Sequence, residues 1–319
     1  MRALVWHGGD ALEVGDLAEP EPRPGSVILE VDLAGICGSD LHAYRGHPGP
    51  RRPPLVLGHE AVGRVAGRPG RYTVFPLSVC GRCPACTRGE ENLCENRGLL
   101  GLDRPGVFAE RVVVPEDSLV AVPSNVESRV AVLVEPLAAS VSALRIDGAR
   151  PADAVLVLGG GPIGLLAVYA CAARGLRTVC VEPVGERRRL AKVLGASAVL
   201  ADVGDVPPAE ADLAIDAVGI EATWRAGIAG VRTGGRVALI GLGQQEGTVP
   251  AADLVRRGVS LRGHYAYTRE DFEAALALLA TAPPPVDWIT ALALDDGAEG
   301  FRRLVHEPDT ATKVVLTPR

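Results

Sequence analysis

The chain has 319 residues, of which 47% are hydrophobic and 23% are charged, and its formal net charge is -6. This length and apolar content are sufficient for two domains, each with its own core. The 39 acidic residues outnumber the 33 basic ones, and the basic residues are scattered. The sequence therefore offers no basic surface for a phosphate backbone, and we predict no nucleic-acid partner.

The N-terminal segment does not have the features of a secretory signal. Its apolar patch is too short for a signal-peptide core, and no small-residue cleavage site follows it. We expect a cytoplasmic protein. The uncharged stretch 154–173 is long enough to suggest a membrane span, but glycines and a proline at 159–162 divide it into a strand-length and a helix-length piece. We therefore predict no membrane association.

The first third of the chain has the pattern of β-structure. Residues 27–33 alternate between two faces, and the short β-branched runs at 111–114 and 119–122 are bounded by proline and polar residues. These runs predict strands of a β-rich domain.

From about residue 126 the pattern changes to alternating helices and strands. Because helix-length segments separate the strands, the pattern predicts a parallel sheet with crossover helices. After it come a final helix and a strand-like tail that is suited to join the first domain. The predicted helices are 129–146, 163–174, 186–194 and 269–280, and the predicted strands are 154–158, 178–181, 213–217, 236–240, 259–261 and the tail 313–316.

Four cysteines form a compact cluster with the spacing C-x2-C-x2-C-x7-C, at Cys80, Cys83, Cys86 and Cys94. Each two-residue step lets the chain turn tightly enough to place two thiolates on one ion, and four thiolates close a tetrahedral zinc site. Two disulfides or four free thiols are the alternative, and disulfides are rare in a reducing compartment. We predict a structural zinc site without catalytic capacity.

A second set of metal-ligand types lies on either side of that cluster. Cys37 is followed by His59 after twenty-two residues, and Glu135 stands in an otherwise apolar stretch. Three protein ligands with one open position are typical of catalytic zinc. Taken singly, the cysteine and the histidine have the alternative of buried core residues, and the glutamate that of a solvent-facing residue. Together they predict a catalytic metal site.

A glycine-rich loop follows the predicted strand 154–158 and opens a helix. Gly159, Gly161 and Gly164 match G-x-G-x-x-G, in which the glycines let the backbone approach a pyrophosphate held by free amides at the helix N-terminus. Pro162 and Ile163 complete this predicted cofactor-binding loop.

The next strand predicts the choice of cofactor. Glu182 stands eighteen residues after Gly164, where a carboxylate accepts hydrogen bonds from a ribose diol and repels a 2′-phosphate. This favours NAD over NADP. The arginines at 187–189 leave the alternative that one of them pairs with a 2′-phosphate, but we expect them to form a solvated helix face.

An open zinc site, a four-cysteine loop and a dinucleotide fingerprint in this order resemble the zinc-dependent alcohol dehydrogenases of the medium-chain dehydrogenase/reductase superfamily. The resemblance covers essentially the whole chain and rests on the motifs at 37–42, 58–60, 80–94 and 159–164. It implies an α/β fold in which a Rossmann doubly wound parallel sheet accompanies a β-rich, GroES-like catalytic domain. The implied domains are 1–125 with 265–319 for the catalytic part and 126–264 for the Rossmann part.

The resemblance also implies roles for individual residues. Cys37 and His59 look like catalytic zinc ligands, and Glu60 looks like a carboxylate that ligates zinc directly or exchanges with water. Glu135 occupies the place where other alcohol dehydrogenases have a cysteine, and a glutamate there is similar to the polyol, sugar and threonine dehydrogenases. Either glutamate is a candidate for the third ligand.

Three further residues of the same motif are implied to act on the substrate proton. Ser39 looks like the hydroxyl that relays it, His42 like the group that passes it on, and Asp40 like an acceptor that orients His59.

These features predict an NAD-dependent zinc enzyme with two zinc ions per chain that interconverts a secondary alcohol and its carbonyl compound. The family implies a homodimer or homotetramer. Two other interpretations are a zinc-free quinone or enoyl reductase and a non-catalytic, NAD-binding redox sensor with structural zinc only.

Overall fold

The protein is described by a computed structural model for residues 1–47 and 49–318. The N-terminal stretch contains β1 (Arg2–Gly8), β2 (Ala11–Asp16), β3 (Ser26–Gly35), α1 (Gly38–Tyr44), β4 (Leu55–Val56), β5 (Glu60–Arg64), β6 (Arg71–Val74), β7 (Leu77–Ser78), α2 (Pro84–Thr87), β8 (Gly98–Leu99), β9 (Arg111–Pro115), β10 (Leu119–Val122) and α3 (Ser128–Ala131).

The middle stretch contains α4 (Val134–Ile146), β11 (Ala154–Leu158), α5 (Pro162–Ala173), β12 (Arg177–Val181), α6 (Gly185–Val193), β13 (Ala198–Leu200), β14 (Ala211–Asp216), α7 (Glu221–Gly230), β15 (Val231–Leu239), α8 (Ala251–Arg257) and β16 (Ser260–Gly263). The last stretch contains α9 (Arg269–Thr281), β17 (Ile289–Ala293), α10 (Gly297–His306) and β18 (Lys313–Thr317).

The chain divides into two compact units. One combines Met1–Glu135 with Thr268–Arg319, and the other is Pro136–Tyr267. The predicted boundary at 125/126 therefore falls ten residues too early. Residues 126–135 belong with the β-rich unit, in which Arg129 Nη2 donates to the Ile289 carbonyl at 2.6 Å. The predicted segment 265–319 ends on Arg319, which lies outside the described residues.

The middle unit is built on a parallel sheet in the order β13-β12-β11-β14-β15-β16. This is the doubly wound order of dinucleotide-binding folds. The first strand, β11, lies at the centre, the next two extend the sheet to one edge, and the last three extend it to the other. The central strand β11 is buried along its whole length, which explains its continuous apolar sequence. The predicted parallel sheet is confirmed.

The other unit is β-rich. Its main sheet runs β10-β6-β5-β3-β18-β17, with β9 also paired to β3, and a smaller sheet runs β2-β1-β4. The C-terminal β18 pairs antiparallel with β3, so the predicted addition of the tail to the N-terminal sheet is confirmed. Next to β18, β3 also pairs with β5, and the ends of these three strands form the base of the site.

Two predicted helices differ from the observed ones. The region 129–146 forms two helices, α3 and α4, because the ring of Pro136 is incompatible with a helical carbonyl four residues earlier, and proline is tolerated only in the first turn. The helix at 269–280 is not the last one, since α10 follows it. Within the described part of the chain, no helix is both long enough and apolar enough to cross a membrane.

Candidate functional site

The ends of two neighbouring strands position the predicted metal ligands. Cys37 follows β3 by two residues, and His59 and Glu60 stand at the start of β5. The strands pair so that Gly35 lies opposite Glu60. A Cβ added at Gly35 would collide with the Glu60 carboxylate. A glycine at this position therefore leaves room for a buried carboxylate between the strands.

Cys37, His59 and Glu60 bring their ligand atoms together. One ligand atom from each lies within 4.8 Å of the others. His59 is 3% exposed and Glu60 is 1% exposed. Glu60 Oε1 is buried without a hydrogen-bond partner, so this oxygen remains available to a donor or to a metal ion. Thiolate, imidazole and carboxylate are all zinc ligands, so this set of donors fits zinc.

Glu135 lies beside this group in the first turn of α4. Its Oε1 atom is 3.9 Å from His59 Nε2, and the residue is 8% exposed. Among the described residues, the mutually close ligand atoms belong to Cys37, His59 and Glu60, and Glu135 lies against the imidazole of the same group. Both glutamates thus flank His59, with Glu60 in the tighter group.

The electrostatics of this group favour a cation. Burial alone lowers the pKa of the His59 imidazole, but the negative charge of Cys37, Asp40 and Glu135 outweighs burial and raises that pKa to about 10. A buried imidazole becomes cationic only where anions are in excess. A divalent ion bound between these side chains would balance the same negative charge.

The four cysteines of the cluster converge as well. All four sulfurs lie within 4.8 Å of one another. The Cys83–Cys86 and Cys94–Cys80 Sγ distances are both 3.6 Å, close to the ~3.8 Å edge of a tetrahedron with Zn–S bonds of about 2.3 Å. All seven cysteines, each within the described residues, are free thiols. The geometry fits an ion rather than a disulfide.

Backbone groups around the cysteine loop stabilise a thiolate. The backbone N–H groups of Arg82 and Cys83 lower the pKa of the Cys80 thiol to about 6. Burial instead raises the pKa of Cys86 to about 12, so this sulfur would give up its proton only to a metal ion.

The glycine loop has the geometry of a phosphate-binding turn. Gly159 has φ +96°, a left-handed conformation that favours glycine. A Cβ at Gly164 would collide with the Gly159 carbonyl, so the third glycine permits close packing of helix on strand. Gly161 caps α5, with Pro162 in the first turn and Ile163 after it. The N-terminus of α5 therefore presents free amides.

Glu182 follows β12 next to this loop. Its carboxylate accepts hydrogen bonds from Gly160 N at 2.6 Å and Val184 N at 2.8 Å. Arg188, which was expected on a solvated helix face, is partly exposed, and its Nη1 donates to the Glu182 and Pro183 carbonyls at 2.7 Å. Both carbonyls follow the end of β12, and the Arg188 guanidinium group is their hydrogen-bond donor.

Comparisons with known proteins agree with this arrangement. The family model of the alcohol dehydrogenase GroES-like domain matches residues 23–124, and that of the zinc-binding dehydrogenase matches residues 162–281. The chain is 34% identical over 264 residues to an L-threonine 3-dehydrogenase of Pyrococcus furiosus, which covers 76% of this chain and 75% of that protein. The chain belongs to the zinc-dependent alcohol dehydrogenases of the medium-chain superfamily.

Other members of the family are equally similar. A sorbitol dehydrogenase of Halalkalibacterium halodurans is 32% identical over 304 residues, which is 88% of each chain. The solved alcohol dehydrogenase of Thermus sp. ATN1 superposes with a TM-score of 0.90 at 31% identity and covers 100% of both chains. The protein is therefore a zinc- and nicotinamide-dependent oxidoreductase that transfers hydride, and its β-rich unit is GroES-like. This favours the enzyme over both the zinc-free reductase and the sensor.

Sequence reasoning missed a buried lysine in the dehydrogenase. Lys313, the first residue of β18, is 1% exposed, and its ammonium group donates to Glu60 Oε2 and, at 3.0 Å, to the Ile36 carbonyl. The ion pair joins positions 253 residues apart. A signal was present, because Lys313 is one of only two lysines in the chain and opens an apolar strand.

The three residues assigned to the substrate proton lie on α1. Ser39 and Asp40 stand in its first turn, and His42 lies one turn further. Asp40 Oδ1 is 3.9 Å from His59 Nδ1, which is beyond hydrogen-bond length. The two side chains are therefore neighbours without a direct bond.

His42 has a partner that the sequence analysis did not identify. Its Nδ1 atom lies 2.9 Å from Nδ1 of His47, so one ring donates and the other accepts. Burial, followed by the positive charge of His47, Arg45 and Arg51, lowers the pKa of His42. The imidazole is therefore neutral near pH 7 and able to accept a proton.

Proposed function

We propose that this dehydrogenase oxidises a secondary alcohol of the polyol, sugar or amino-alcohol type with NAD, and that the reverse reaction reduces the carbonyl compound. The observation that carries the proposal is the convergence of Cys37, His59 and Glu60, with Glu135 beside the imidazole. Two carboxylates make this donor set harder and more anionic than one with a second cysteine. Relatives named as threonine and sorbitol dehydrogenases support the same substrate class.

Two zinc ions per chain fit the two groups of ligands. Zinc held by Cys37, His59 and a glutamate would supply Lewis-acid polarisation of the alcohol oxygen, and a nicotinamide cofactor on the glycine loop would supply the hydride acceptor. The four-cysteine site is closed and supports only the loop that carries it.

The protein's own residues bind and move the proton. Ser39 Oγ accepts the alcohol proton as its own hydroxyl proton leaves toward His42, whose lowered pKa keeps the imidazole neutral and able to receive it. Asp40 Oδ2 accepts from the Cys37 backbone N–H at 3.1 Å and so fixes the turn that presents the sulfur.

A substrate panel tests the proposed class. We expect the purified enzyme to reduce NAD with sorbitol, threonine or butane-2,3-diol at a kcat/KM at least about tenfold above that with ethanol. Turnover restricted to simple primary alcohols would contradict the substrate class. Absence of turnover with every alcohol would contradict the catalytic assignment.

Glu182 is proposed to select NAD. Replacing it by glutamine removes the charge that repels a 2′-phosphate, so we expect the ratio of kcat/KM for NAD to that for NADP to fall about tenfold, which corresponds to about 1.4 kcal/mol. Steady-state kinetics with both cofactors measures this ratio. Glu186→Gln is the matched control, because that exposed carboxylate pairs with Arg189. An unchanged ratio in Glu182→Gln would remove this residue from cofactor selection.

His42 is proposed to release the substrate proton. Because its pKa lies below the ordinary value of 6.5, the neutral form persists into mildly acidic solution, and the acid limb of wild-type kcat should lie below pH 6.5. His42→Gln is expected to lower kcat near neutrality by up to about a hundredfold, with a smaller deficit at high pH. The control is His7→Gln on β1. A pH profile of kcat that His42→Gln leaves unchanged would exclude this role.

The assembly is proposed to be a homodimer or homotetramer. β16 ends the parallel sheet, and an edge strand with free backbone groups is suited to pair with a second copy. Size-exclusion chromatography is expected to give a mass of two or four times 33.2 kDa, and a monomeric mass would contradict this.

A further inference from the structure

Arg51 is a buried cation in the loop between α1 and β4. Its side chain is only 9% exposed, and its guanidinium group is directed into the protein. Nε donates to the Gly101 carbonyl at 2.8 Å, and Nη1 donates to the Ser39 carbonyl at 3.0 Å. Nη2 donates to Ser39 Oγ at 3.1 Å and to Asp40 Oδ1 at 3.2 Å. With these four contacts, the group is committed to the protein rather than to a ligand.

The contact with Ser39 fixes a hydroxyl group that would otherwise rotate. A serine hydroxyl has one donor and two acceptor positions, and its hydrogen turns to suit its neighbours. Because Arg51 Nη2 occupies an acceptor position and Nη1 holds the carbonyl of the same residue, both the side chain and the backbone of Ser39 are restrained. The remaining lone pair is left to accept the substrate proton, and the hydroxyl hydrogen is left to be passed on to the next group of the relay.

The contact with Asp40 compensates a fully buried carboxylate. Asp40 is 0% exposed; its Oδ2 atom takes the Cys37 N–H, and its Oδ1 atom faces both Arg51 and His59. A buried carboxylate with a single neutral donor is costly, whereas a guanidinium partner supplies charge and directional bonds together. Arg51 therefore holds Asp40 between the cysteine and the histidine of the metal group.

We propose that Arg51 is a positioning residue of the dehydrogenase, whose planar guanidinium holds the Ser39 hydroxyl and the Asp40 carboxylate in the orientation that proton transfer and zinc retention require. The inference rests on the proposed function, because Ser39 and the zinc ligands take their roles from it. Arg51 itself lies outside the motifs 37–42 and 58–60, which contain those residues. The planar fork matters, since a lysine ammonium cannot span Gly101, Ser39 and Asp40 at once.

Two substitutions and a neighbouring control test the proposal. Arg51→Gln removes the charge and the fork, and Arg51→Lys keeps the charge but loses the fork. Arg52→Gln is the control, because this exposed neighbour, among the described residues, donates to the Gly49 and Arg51 carbonyls and to neither Ser39 nor Asp40. We expect both Arg51 variants to lose kcat by about 10- to 100-fold with KM for NAD within about twofold, and Arg52→Gln to match the wild type.

Zinc release provides a readout that does not depend on turnover. In a chelator competition followed by a zinc dye, the wild type is expected to release its two ions in separate phases, with the four-thiolate ion retained longer. Arg51→Gln should accelerate only the phase of the Cys37–His59 ion, by about tenfold or more. If Arg51→Gln fails to fold, the same measurement on Arg51→Lys decides.

A double substitution separates positioning from a general structural effect. If Arg51 acts through the hydroxyl, Arg51→Gln in a Ser39→Ala background should reduce kcat by much less than it does in the wild type. The proposal would be overturned if either Arg51 variant kept the wild-type kcat and the wild-type zinc-release rate. It would also be overturned if the effects of Arg51→Gln and Ser39→Ala on kcat were fully additive and the zinc-release phase were unchanged. A wild-type enzyme without alcohol oxidation would instead overturn the proposed function, and the zinc-release comparison would still decide the role of Arg51.

Discussion

Replacing Cys37 by serine is expected to abolish alcohol oxidation and to leave one zinc ion per chain. The thiolate is one of three clustered ligands, and a serine hydroxyl is a poor zinc ligand near neutral pH. Loss of the Lewis acid removes several kcal/mol of transition-state stabilisation, and each ~1.4 kcal/mol is a factor of ten. We therefore expect kcat/KM to fall by at least about a thousandfold, measured together with zinc content by mass spectrometry.

The four-cysteine site and a core cysteine supply the controls for this variant. The zinc ion that remains in Cys37→Ser should be released by Cys94→Ser, whose sulfur lies 3.6 Å from that of Cys80. Cys171→Ala removes a buried thiol from the other unit and should retain both ions. If Cys37→Ser turns over at the wild-type rate, the assignment of the catalytic metal is wrong.

Replacing Lys313 by methionine is expected to produce the largest loss of stability among single changes at the site. Methionine preserves the aliphatic stem but leaves Glu60 without its ammonium partner in a position that is 1% exposed. Removing one member of a buried ion pair costs about 3–5 kcal/mol, because the other charge stays buried and uncompensated. Denaturant unfolding of the metal-depleted protein measures this loss without the contribution of bound zinc.

The second lysine of the chain provides a matched control. Lys192 is exposed on α6 and, within the described part of the chain, donates to the Ser197 carbonyl, so Lys192→Met should change the free energy of unfolding by less than about 0.5 kcal/mol. Combining Lys313→Met with Glu60→Gln removes both charges and should recover much of the lost stability. Equal stability of Lys313→Met and Lys192→Met would contradict the role of the pair.

The Rossmann sheet was predictable because its central strands are buried on both faces. β11 and β14 consequently have nearly continuous apolar sequences separated by helix-length segments, which is a strong local signal. The β-rich unit was less predictable, since β4, β7 and β8 are only two residues long and depend on pairing between distant segments. The break between α3 and α4 was missed because apolar helical spacing continues across it, although Pro136 marks it.

The candidate site shows the same division between local and distant signals. Cys37, Ser39, Asp40 and His42 fall in one short motif, so their types and spacing are visible in the sequence. Lys313 and Arg51 reach the same group from other parts of the chain, through antiparallel pairing of β18 with β3 and through the contacts of Arg51 with Ser39 and Asp40. Their roles depend on tertiary contacts that no local pattern encodes.

The central claim is that Cys37, His59 and Glu60 hold a zinc ion separate from the four-cysteine site. Anomalous diffraction at the zinc edge from crystals of the purified enzyme tests it most directly. The account predicts two anomalous peaks per chain, one among the sulfurs of the cysteine loop and one between Cys37 and His59 within bonding distance of a glutamate oxygen. A single peak in the cysteine loop, in crystals of enzyme that oxidises alcohols, would contradict it.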